Sequence, residues 1–348
     1  MLKSLAYAAP AAGKPLAPFT VERREPGPDD ILIDILFCGV CHSDVHQARD
    51  EWGASSFPMV PGHEIVGRVS RAGANVKKFK VGDLAGVGCM VDSCHACDPC
   101  KRDFEQFCEK GAAFTYNSTE LDKKTRTQGG YSTRLTVAEK FALRIPAGLD
   151  PAGAAPLLCA GITTYSPLRQ WNCKKGDKVG VVGLGGLGHM AVKLAAAMGA
   201  EVTVLSTSTA KEKDARRLGA TGFESTKDKG TFKKLAGRFD LIIDTISAPH
   251  DYNQYLGMLR VQGTMVVVGV PPEPTPVAAY SLISGNKRLA GSLIGGIAQT
   301  QEMLDFCGQH KIVSDVEVIP VQKINEAYDR MVKGDVRYRF VIDAASLG

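Results

Sequence analysis

The sequence lacks the features that would associate it with a membrane, with secretion or with nucleic acid. It contains no apolar run of about 18 residues, the length that a membrane-spanning helix needs, and residues 1–12 lack the sustained apolar core of a secretory signal. A long Lys/Arg block is also missing: the formal net charge is +5, and basic residues are interleaved with acidic ones. We therefore expect a cytoplasmic protein with no membrane partner and no nucleic-acid partner.

Internal repeats and low-complexity tracts are absent as well, which argues against a repeat architecture. With 348 residues, 44% of them apolar, the chain can bury a large core, and its length favours two domains. Up to about residue 150, short β-like runs alternate with Gly, Pro and Asp, which predicts a mainly β domain. From residue 151, strands alternate with helices, which predicts a doubly wound parallel sheet. Helices at 302–310 and 324–332 and a strand at 338–342 are expected to return to the first domain.

Four of the ten cysteines lie in one short segment. Their spacing is C-x2-C-x2-C-x7-C, formed by Cys94, Cys97, Cys100 and Cys108. Cytosolic thiols are normally kept reduced, so a disulfide framework is not expected. One loop can wrap four thiolates around a tetrahedral ion, which is the closed arrangement of structural zinc. An iron–sulfur cluster also uses four thiolates, but no second Cys-rich segment accompanies this one. A set of free loop cysteines is the remaining alternative.

A second group of potential metal ligands is spread over three segments. Cys41 follows an apolar strand, His63 opens the next strand, and Cys159 lies in a stretch of small residues. Each alone is more often a core or hydrogen-bonded residue, but together they form a Cys, His and Cys set that leaves a fourth zinc position open. An open zinc ion can polarise a carbonyl or lower the pKa of an alcohol, as hydride transfer requires. Ser43 and His46 could then pass the substrate proton towards solvent.

Two acidic residues adjoin these ligands. Glu64 follows His63 directly and is expected to orient the ligands or to bind zinc transiently. Asp44 is expected to hydrogen-bond the imidazole of His63.

A glycine-rich loop marks a nucleotide site. It follows a β-branched strand at 178–182, leads into an Ala-rich helix at 187–198, and reads Gly183, Leu184, Gly185, Gly186, Leu187, Gly188. A G-x-G-x-x-G pattern alone is weak, but here it lies between the strand and the helix that a pyrophosphate site requires. A glycine-rich tight turn would explain neither neighbour. The sequence therefore predicts dinucleotide binding.

The end of the following strand indicates which dinucleotide binds. An NAD-binding protein places Asp or Glu about 20 residues past the glycines, whereas this chain has Ser206, Thr207 and Ser208. Hydroxyls with Lys211 nearby can hydrogen-bond and neutralise a 2′-phosphate, and Lys213 and Arg216 could add to the positive field. We therefore predict a preference for NADP(H).

With these motifs in place, the chain resembles the zinc-containing medium-chain dehydrogenases, most closely their cinnamyl-alcohol-dehydrogenase-like, NADPH-dependent aldehyde reductases. The resemblance runs nearly end to end and rests on GVCHSD (39–44), PGHEIVG (61–67), Gly73, Val76, the cysteine quartet, LLCAGITTY (157–165), the glycine loop and YRFVI (338–342). It implies a GroES-like, mainly β zinc catalytic domain at 1–154 and 295–348. A Rossmann domain that binds NADP(H) would occupy 155–294.

The resemblance also implies roles for individual residues. It assigns catalytic zinc to Cys41, His63 and Cys159 and structural zinc to the quartet, hence two zinc ions per chain. The relay positions are Ser43 and His46, and Thr163 would lie near the nicotinamide. The nicotinamide half of the cofactor would run along Val268, Gly269, Val270, Ser292 and Ile294, while Ser206, Thr207 and Lys211 would face the 2′-phosphate.

The substrate wall of the family corresponds here to a mostly apolar set: Gln47, Trp52, Cys89, Phe114, Leu293 and Ile294. Such a wall suits aromatic or longer aliphatic aldehydes. The plant lignin enzymes commonly carry Trp where Phe114 stands, so a broad aldehyde range is favoured over a specific cinnamyl alcohol dehydrogenase. The family is usually homodimeric. A zinc polyol dehydrogenase and a non-catalytic NADP-binding zinc protein are the alternatives, and turnover discriminates between an enzyme and a binding protein.

Overall fold

A computed structural model describes residues 1–348 and divides the chain into two compact units. The first unit comprises Met1–Ile162 and Gly295–Gly348, and the second comprises Thr163–Ile294. A helix that crosses a membrane must be both long and apolar, and none of the helices in this structure combines the two properties.

The N-terminal part of the first unit consists mainly of strands. The strands are β1 (Leu2–Ala8), β2 (Ala17–Arg23), β3 (Asp30–Gly39), β4 (Ile65–Ala72), β5 (Leu84–Val87), β6 (Met90–Asp92), β7 (Ala113–Phe114), β8 (Arg134–Ala138) and β9 (Leu143–Arg144), and the short helices are α1 (His42–Ala48), α2 (Asp98–Lys101) and α3 (Pro151–Ala154). The antiparallel hairpin of β1 and β2 was not predicted from the sequence. Burial alternates along β1, but Ser4 is buried and Leu5 is exposed, so the strand shows no polar–apolar alternation that could have revealed it.

The second unit alternates strands and helices along the chain. Its elements are α4 (Ala160–Gln170), which spans the division, β10 (Lys178–Val182), α5 (Gly188–Ala197), β11 (Glu201–Ser206), α6 (Glu212–Arg217), β12 (Gly222–Ser225), α7 (Gly230–Lys234), β13 (Phe239–Asp244), α8 (Tyr252–Met258), β14 (Leu259–Val267), α9 (Ala279–Ile283) and β15 (Arg288–Gly291). All six strands are parallel, in the order β12-β11-β10-β13-β14-β15. This is the 3-2-1-4-5-6 order of a Rossmann sheet, whose ligand site lies where the order reverses, between β10 and β13.

The C-terminal segment belongs to the first unit. It contains α10 (Ile297–His310), β16 (Val316–Pro320), α11 (Ile324–Val332) and β17 (Arg339–Asp343). These strands extend the main sheet, whose order is β16-β17-β3-β4-β5-β9, with β8 paired to the first half of β3. The α/β class predicted from the sequence, a mainly β unit plus a doubly wound parallel sheet, is thereby confirmed.

Some element boundaries differ from the prediction. Helix α10 begins at Ile297 rather than at residue 302, because the carboxylate of Glu105 accepts a hydrogen bond from the Ile297 N–H at 3.1 Å. This partner is 192 positions away in the chain, so a local pattern cannot show it. The strand predicted at 264–268 runs from Leu259 to Val267. The four-residue strands β12 and β15 are too short to show a clear alternation and are defined by pairing with β11 and β14.

Candidate functional site

The first candidate metal centre lies in the first unit and is fully buried. One ligand atom from each of Cys41, His63, Glu64 and Cys159 lies within 4.8 Å of the others. The sulfurs of Cys41 and Cys159 are 3.9 Å apart. Two thiolates on a tetrahedral zinc ion with Zn–S bonds of about 2.3 Å are separated by about 3.8 Å. The spacing of the two sulfurs therefore fits a shared zinc ion.

Antiparallel pairing of β3 with β4 brings the first two ligands together. Cys38 is paired with Ile65, so the segments that follow β3 and precede β4 meet at one end of the sheet. Cys41 then forms the N-cap of helix α1, and its backbone N–H donates to the carboxylate of Asp44 at 2.8 Å. Gly39 makes room for the neighbouring acid, because a Cβ at this position would meet the Glu64 side chain at 1.9 Å.

The Asp44 carboxylate orients both of these ligands. One oxygen accepts from the Gly62 N–H and lies 3.2 Å from Nδ1 of His63, and the other accepts from the Cys41 N–H and from the hydroxyl of Tyr131 at 3.1 Å. The hydrogen bond expected between Asp44 and His63 is thus confirmed. Because Nδ1 is held by this carboxylate, the other ring nitrogen of His63 is left to bind a metal.

Glu64 forms an ion pair with Arg339, a residue that the sequence reasoning did not single out. Both groups are buried, and the second carboxylate oxygen of Glu64 has no hydrogen-bond partner. A buried polar atom without a partner is costly unless an ion or another group satisfies it. Burial raises the pKa of Glu64 to about 8, while the charge of Arg339 acts in the opposite direction. A dication at this site would reinforce the effect of Arg339 and favour the carboxylate.

The protonation states of the ligands couple metal binding to pH. Hydrogen bonds that the Cys159 thiol donates to Cys41 and Cys89, together with burial, raise the pKa of this thiol well above its ordinary value. Burial acts to lower the pKa of His63, but the charge and hydrogen bond of Asp44, together with Cys89 and Cys41, outweigh it and the pKa is raised. The pKa of Cys41 is lowered, chiefly by its hydrogen bond with Cys159. Zinc would therefore have to displace protons from His63 and Cys159.

The second candidate metal centre is the cysteine quartet. Its four sulfurs lie within 4.8 Å of one another, and the Cys94–Cys100 and Cys97–Cys108 sulfur pairs are each 4.0 Å apart. The N–H of Cys97 donates to the sulfur of Cys94, and the N–H of Cys94 donates to the sulfur of Cys108, both at 3.4 Å. Hydrogen bonds from the backbone of Ala96 and Cys97 lower the pKa of Cys94 to about 6. Four sulfurs in this arrangement match a closed tetrahedral zinc site.

The predicted relay residues lie on helix α1. The Ser43 hydroxyl is 3.7 Å from the sulfur of Cys41, next to the first metal centre. Three residues later, His46 places Nδ1 2.5 Å from the carboxylate of Glu51, and its ring stacks on Trp52 with centroids 4.9 Å apart. Ser43 and His46 share one face of the helix, since residues three apart are neighbours there.

The residues predicted to form the substrate wall have different surroundings. Trp52, Phe114 and Leu293 are 53%, 41% and 50% exposed, and Leu293 belongs to the second unit. The amide of Gln47 accepts from Asn117 at 2.9 Å. Cys89 is hydrogen-bonded to Cys159, which places it beside the first metal centre.

Three of the four glycines of the nucleotide loop each have a separate structural reason. Gly183 has a φ of +88°, a conformation that favours glycine. A Cβ at Gly188 would lie 2.2 Å from the Gly183 carbonyl oxygen, so helix α5 can pack this closely only with glycine there. A Cβ at Gly185 would meet nothing within 4 Å, which leaves its backbone open to a pyrophosphate. Gly186 and Leu187 complete the turn before α5 begins at Gly188.

The hydroxyl-bearing residues at the end of β11, Ser206, Thr207 and Ser208, lie beside this loop. The Ser206 hydroxyl accepts from the Ser208 N–H at 3.2 Å, and Thr207 is exposed between them. Lys211 donates from Nζ to the carbonyl of Leu184 at 2.9 Å, which fixes its charge next to the glycines. Arg216 instead pairs with Glu212 and the carbonyl of Thr221.

The segments assigned to the nicotinamide half lie at the ends of β14 and β15. The N–H groups of Val268 and Gly269 both donate to the Asp244 carbonyl, at 3.0 and 3.2 Å, and that of Ser292 donates to Val267 at 3.2 Å. Val270 is 67% exposed, whereas Thr163 and Ile294 are buried. Asp244, which ends β13 between the two cofactor segments, was missed by the sequence reasoning. An acidic residue directly after the apolar run 241–243 was a visible signal.

Comparisons with known proteins agree with this geometry. Residues 27–147 match the family description "Alcohol dehydrogenase GroES-like domain", and residues 186–309 match "Zinc-binding dehydrogenase". The chain is 55% identical to NADP-dependent alcohol dehydrogenase C 1 of Mycolicibacterium smegmatis, over 98% of both chains. It is 50% identical to aldehyde reductase YahK of Escherichia coli, over 99% of both. The crystal structure of CAD from Helicobacter pylori complexed with NADP(H) superposes with a TM-score of 0.93, at 43% identity, over 99% of both chains.

Proposed function

Since this chain belongs to the zinc-binding alcohol dehydrogenases, we propose that it catalyses reversible hydride transfer between NADP(H) and primary alcohols or aldehydes, working mainly as an aldehyde reductase. The observation that carries the proposal is the buried convergence of Cys41, His63 and Cys159, three ligands in the set that leaves a fourth zinc position for substrate. The partnerless oxygen of Glu64 beside them supports a cation at this centre.

The zinc ion bound at this centre would polarise the aldehyde carbonyl or lower the pKa of the alcohol. The residues of the chain supply the proton path and the orientation. Ser43 gives the proton to the nascent alkoxide, and His46, half-buried against Glu51, exchanges it with solvent. Asp44 holds two of the ligands in place, and the Cys94–Cys108 segment holds the second, structural zinc ion.

The preference for NADP(H) rests on the segment after β11. Ser206, Thr207 and Ser208 offer hydroxyls where an NAD-binding protein has an acid, and Lys211 is held next to the glycine loop. A 2′-phosphate would meet no carboxylate among these residues and one nearby ammonium group. The names of the bacterial relatives, an NADP-dependent alcohol dehydrogenase and an aldehyde reductase, are consistent with this assignment.

The substrates we propose are aromatic and aliphatic aldehydes of broad range. Within the first unit, Trp52 and Phe114 offer apolar surface, and Cys89 lies beside the metal centre. A sugar alcohol would need a more polar wall. Phe114 also supports a wider range than that of a dedicated cinnamyl alcohol dehydrogenase.

We further propose a cytoplasmic homodimer. Strand β15 is an edge of the second sheet, with a partner strand on one side only. Three large apolar side chains of this unit are strongly exposed: Val261 at 69%, Tyr280 at 75% and Ile283 at 71%. An exposed edge and apolar residues of this kind are typical of association sites. Sedimentation of the purified protein as a dimer would support the proposal, and a monomer at all concentrations would contradict it.

The proposed activity is tested by following the absorbance of reduced nicotinamide with benzaldehyde, cinnamaldehyde, butanal and a sugar, each with NADPH or NADH. Chelator-sensitive aldehyde reduction that is faster with NADPH is the expected result. Turnover that a zinc chelator leaves unchanged would contradict the role of the Cys41 centre. A preference for NADH would contradict the cofactor assignment alone, and no turnover with any pair would favour a binding protein.

A further inference from the structure

A histidine–carboxylate pair lies at the end of β13 in the second unit, outside the residues that the proposed chemistry uses; its carboxylate is buried and its imidazole nearly so. Nε2 of His250 is 2.9 Å from a carboxylate oxygen of Asp244, and the two side chains are 11% and 0% exposed. Nδ1 of the same ring is 2.8 Å from the carbonyl oxygen of Ala248. A neutral imidazole has only one N–H to donate, so a ring whose two nitrogens both face acceptors is best satisfied as the imidazolium.

Four titratable groups face this ring. Asp244 ends β13 and Asp251 caps helix α8, while the rings of Tyr252 and Tyr255 of α8 lie 5.0 and 5.5 Å from it. Burial raises the pKa of both tyrosines, so the phenols stay neutral and the two carboxylates determine the charge of the imidazole. Burial acts to lower the pKa of His250, but its hydrogen bonds to Asp244 and Ala248 outweigh this, and the pKa is raised.

The segment closed by this pair, residues 244–250, touches the glycine loop on one side. The Thr245 hydroxyl and N–H donate to the carbonyl of Val182, the last residue before the loop, at 2.7 and 3.1 Å. A Cβ built on Gly183 would lie 3.0 Å from the Thr245 hydroxyl oxygen. Movement of residue 245 would therefore disturb the turn that receives the pyrophosphate.

On its other side the segment touches the strand end assigned to the nicotinamide half. A Cβ on Gly269 would lie 2.2 Å from the carbonyl oxygen of Ile246, and the Ser247 hydroxyl accepts from the Val270 N–H at 3.3 Å. The Ile246 N–H in turn donates to the Asp244 carboxylate at 3.2 Å. Residues 244–250 thus contact both the glycine loop and the 268–270 strand end, at the point where the strand order of the sheet reverses. The His250–Asp244 pair joins the two ends of this segment.

We propose that His250 is a positioning residue for NADP(H): as an imidazolium held between Asp244 and Ala248, it fixes residues 244–250 so that the glycine loop and the 268–270 strand end are both set to receive the cofactor. This inference rests on the proposed function. A protein whose binding-competent conformation is only partly populated binds its ligand more weakly by that fraction. Loss of the pair should therefore weaken NADPH binding and leave the hydride-transfer step of the bound complex intact.

The raised pKa of His250 determines the direction in which NADPH affinity changes with pH. The imidazolium form, and with it the ordered segment, is complete below the ordinary imidazole value of 6.5 and is lost as pH rises through the higher pKa of the folded protein. NADPH affinity of the wild type should fall over this interval. In His250→Gln, NADPH affinity over the same pH interval should change only through the other titratable groups of the site and of the cofactor.

The test measures NADPH dissociation constants by nicotinamide fluorescence for the zinc-loaded wild type and His250→Gln between about pH 6 and about pH 9. His310→Gln, an exposed histidine at the end of α10, is the matched control. We expect His250→Gln to raise the dissociation constant on the order of tenfold near pH 6, with the difference from wild type shrinking as pH rises. At saturating NADPH, kcat should change less than about twofold.

If His250→Gln does not fold, the Asp244→Asn/His250→Gln double variant is measured instead. It also removes the buried carboxylate that the single variant leaves without a partner. Equal NADPH affinity and an unchanged pH profile in the folded variant would overturn the inference, as would a loss confined to kcat. If the wild type binds no NADPH at all, the proposed function fails together with the inference. If the wild type binds NADPH and only the variant comparison fails, the proposed function stands.

Discussion

The guanidinium of Arg339 on β17 forms an ion pair with the carboxylate of Glu64, and the two side chains are 4% and 0% exposed. These residues are 275 positions apart in the sequence. Their contact follows from the pairing of β17 and β4 on opposite edges of β3. The C-terminal segment thereby supplies a positive charge to a cluster of thiols, an imidazole and a carboxylate.

Removal of Arg339 should be strongly destabilising. Arg339→Met leaves Glu64 buried without its counter-charge, and breaking a buried ion pair from one side costs about 3 kcal/mol or more. Arg330→Met is the control, because Arg330 pairs with Glu317 at a partly exposed position, where about 1 kcal/mol or less is expected. Denaturant unfolding of the two variants measures the difference, and equal losses would contradict the role assigned to the buried pair.

The cysteine quartet should hold a zinc ion that stabilises the fold. Cys97→Ser removes one of four ligands, so the zinc content should fall from two ions per chain to one. The free energy of unfolding should fall by about 3 kcal/mol, in the upper range for a single substitution. Cys173→Ser, at a half-buried cysteine outside both clusters, is the control. Metal analysis and thermal unfolding test this prediction. If Cys97→Ser melts at the same temperature as the wild type and neither protein contains zinc, the structural zinc site is contradicted.

Zinc binding at the Cys41 centre should release protons and weaken as pH falls. The pKa values of His63 and Cys159 are raised, so both groups carry protons in the metal-free protein around neutral pH, and zinc competes with those protons. Titration calorimetry in two buffers of different ionisation enthalpy measures the proton release. A binding enthalpy that does not depend on the buffer would contradict this prediction.

Replacement of Ser206 should change the cofactor preference. Ser206→Asp places a carboxylate where we expect the 2′-phosphate, and like charges in contact cost on the order of 2 kcal/mol or more. The ratio of kcat/KM for NADPH to that for NADH should fall at least about tenfold. The Asp side chain can still accept from the Ser208 N–H as Ser206 does, so the turn is expected to persist. Ser206→Ala, which adds no charge, should shift the ratio far less.

The hydroxyl of Ser43 should be needed for turnover and dispensable for metal binding. Ser43→Ala removes the proton donor beside Cys41, and loss of a general acid or base typically costs about 10²-fold or more in kcat. Ser43→Thr keeps the hydroxyl and should retain most of the activity. Both variants should hold two zinc ions; if Ser43→Ala loses zinc, the hydroxyl has a structural role instead.

Local patterns were sufficient where the interacting residues are close in the chain. The quartet spans residues 94–108, and the glycine loop lies directly between β10 and α5, so their spacing carried the prediction. The grouping of Cys41, His63 and Cys159 was a different case, because each residue alone looked unremarkable and only their combination, together with the resemblance to a family, indicated a common role. The structure brings their ligand atoms within 4.8 Å of one another.

The sequence by itself determined the two-part α/β organisation, the cysteine quartet and the glycine loop, because hydrophobic periodicity and short ligand spacings are properties of contiguous segments. Only the tertiary structure decided that Arg339 reaches Glu64, that Glu105 begins helix α10, and that His250 closes a segment between the two cofactor segments. Each of these contacts depends on strand register or on chain segments that meet only after folding. The spacing of neighbouring residues in the sequence specifies neither the strand register nor these long-range contacts.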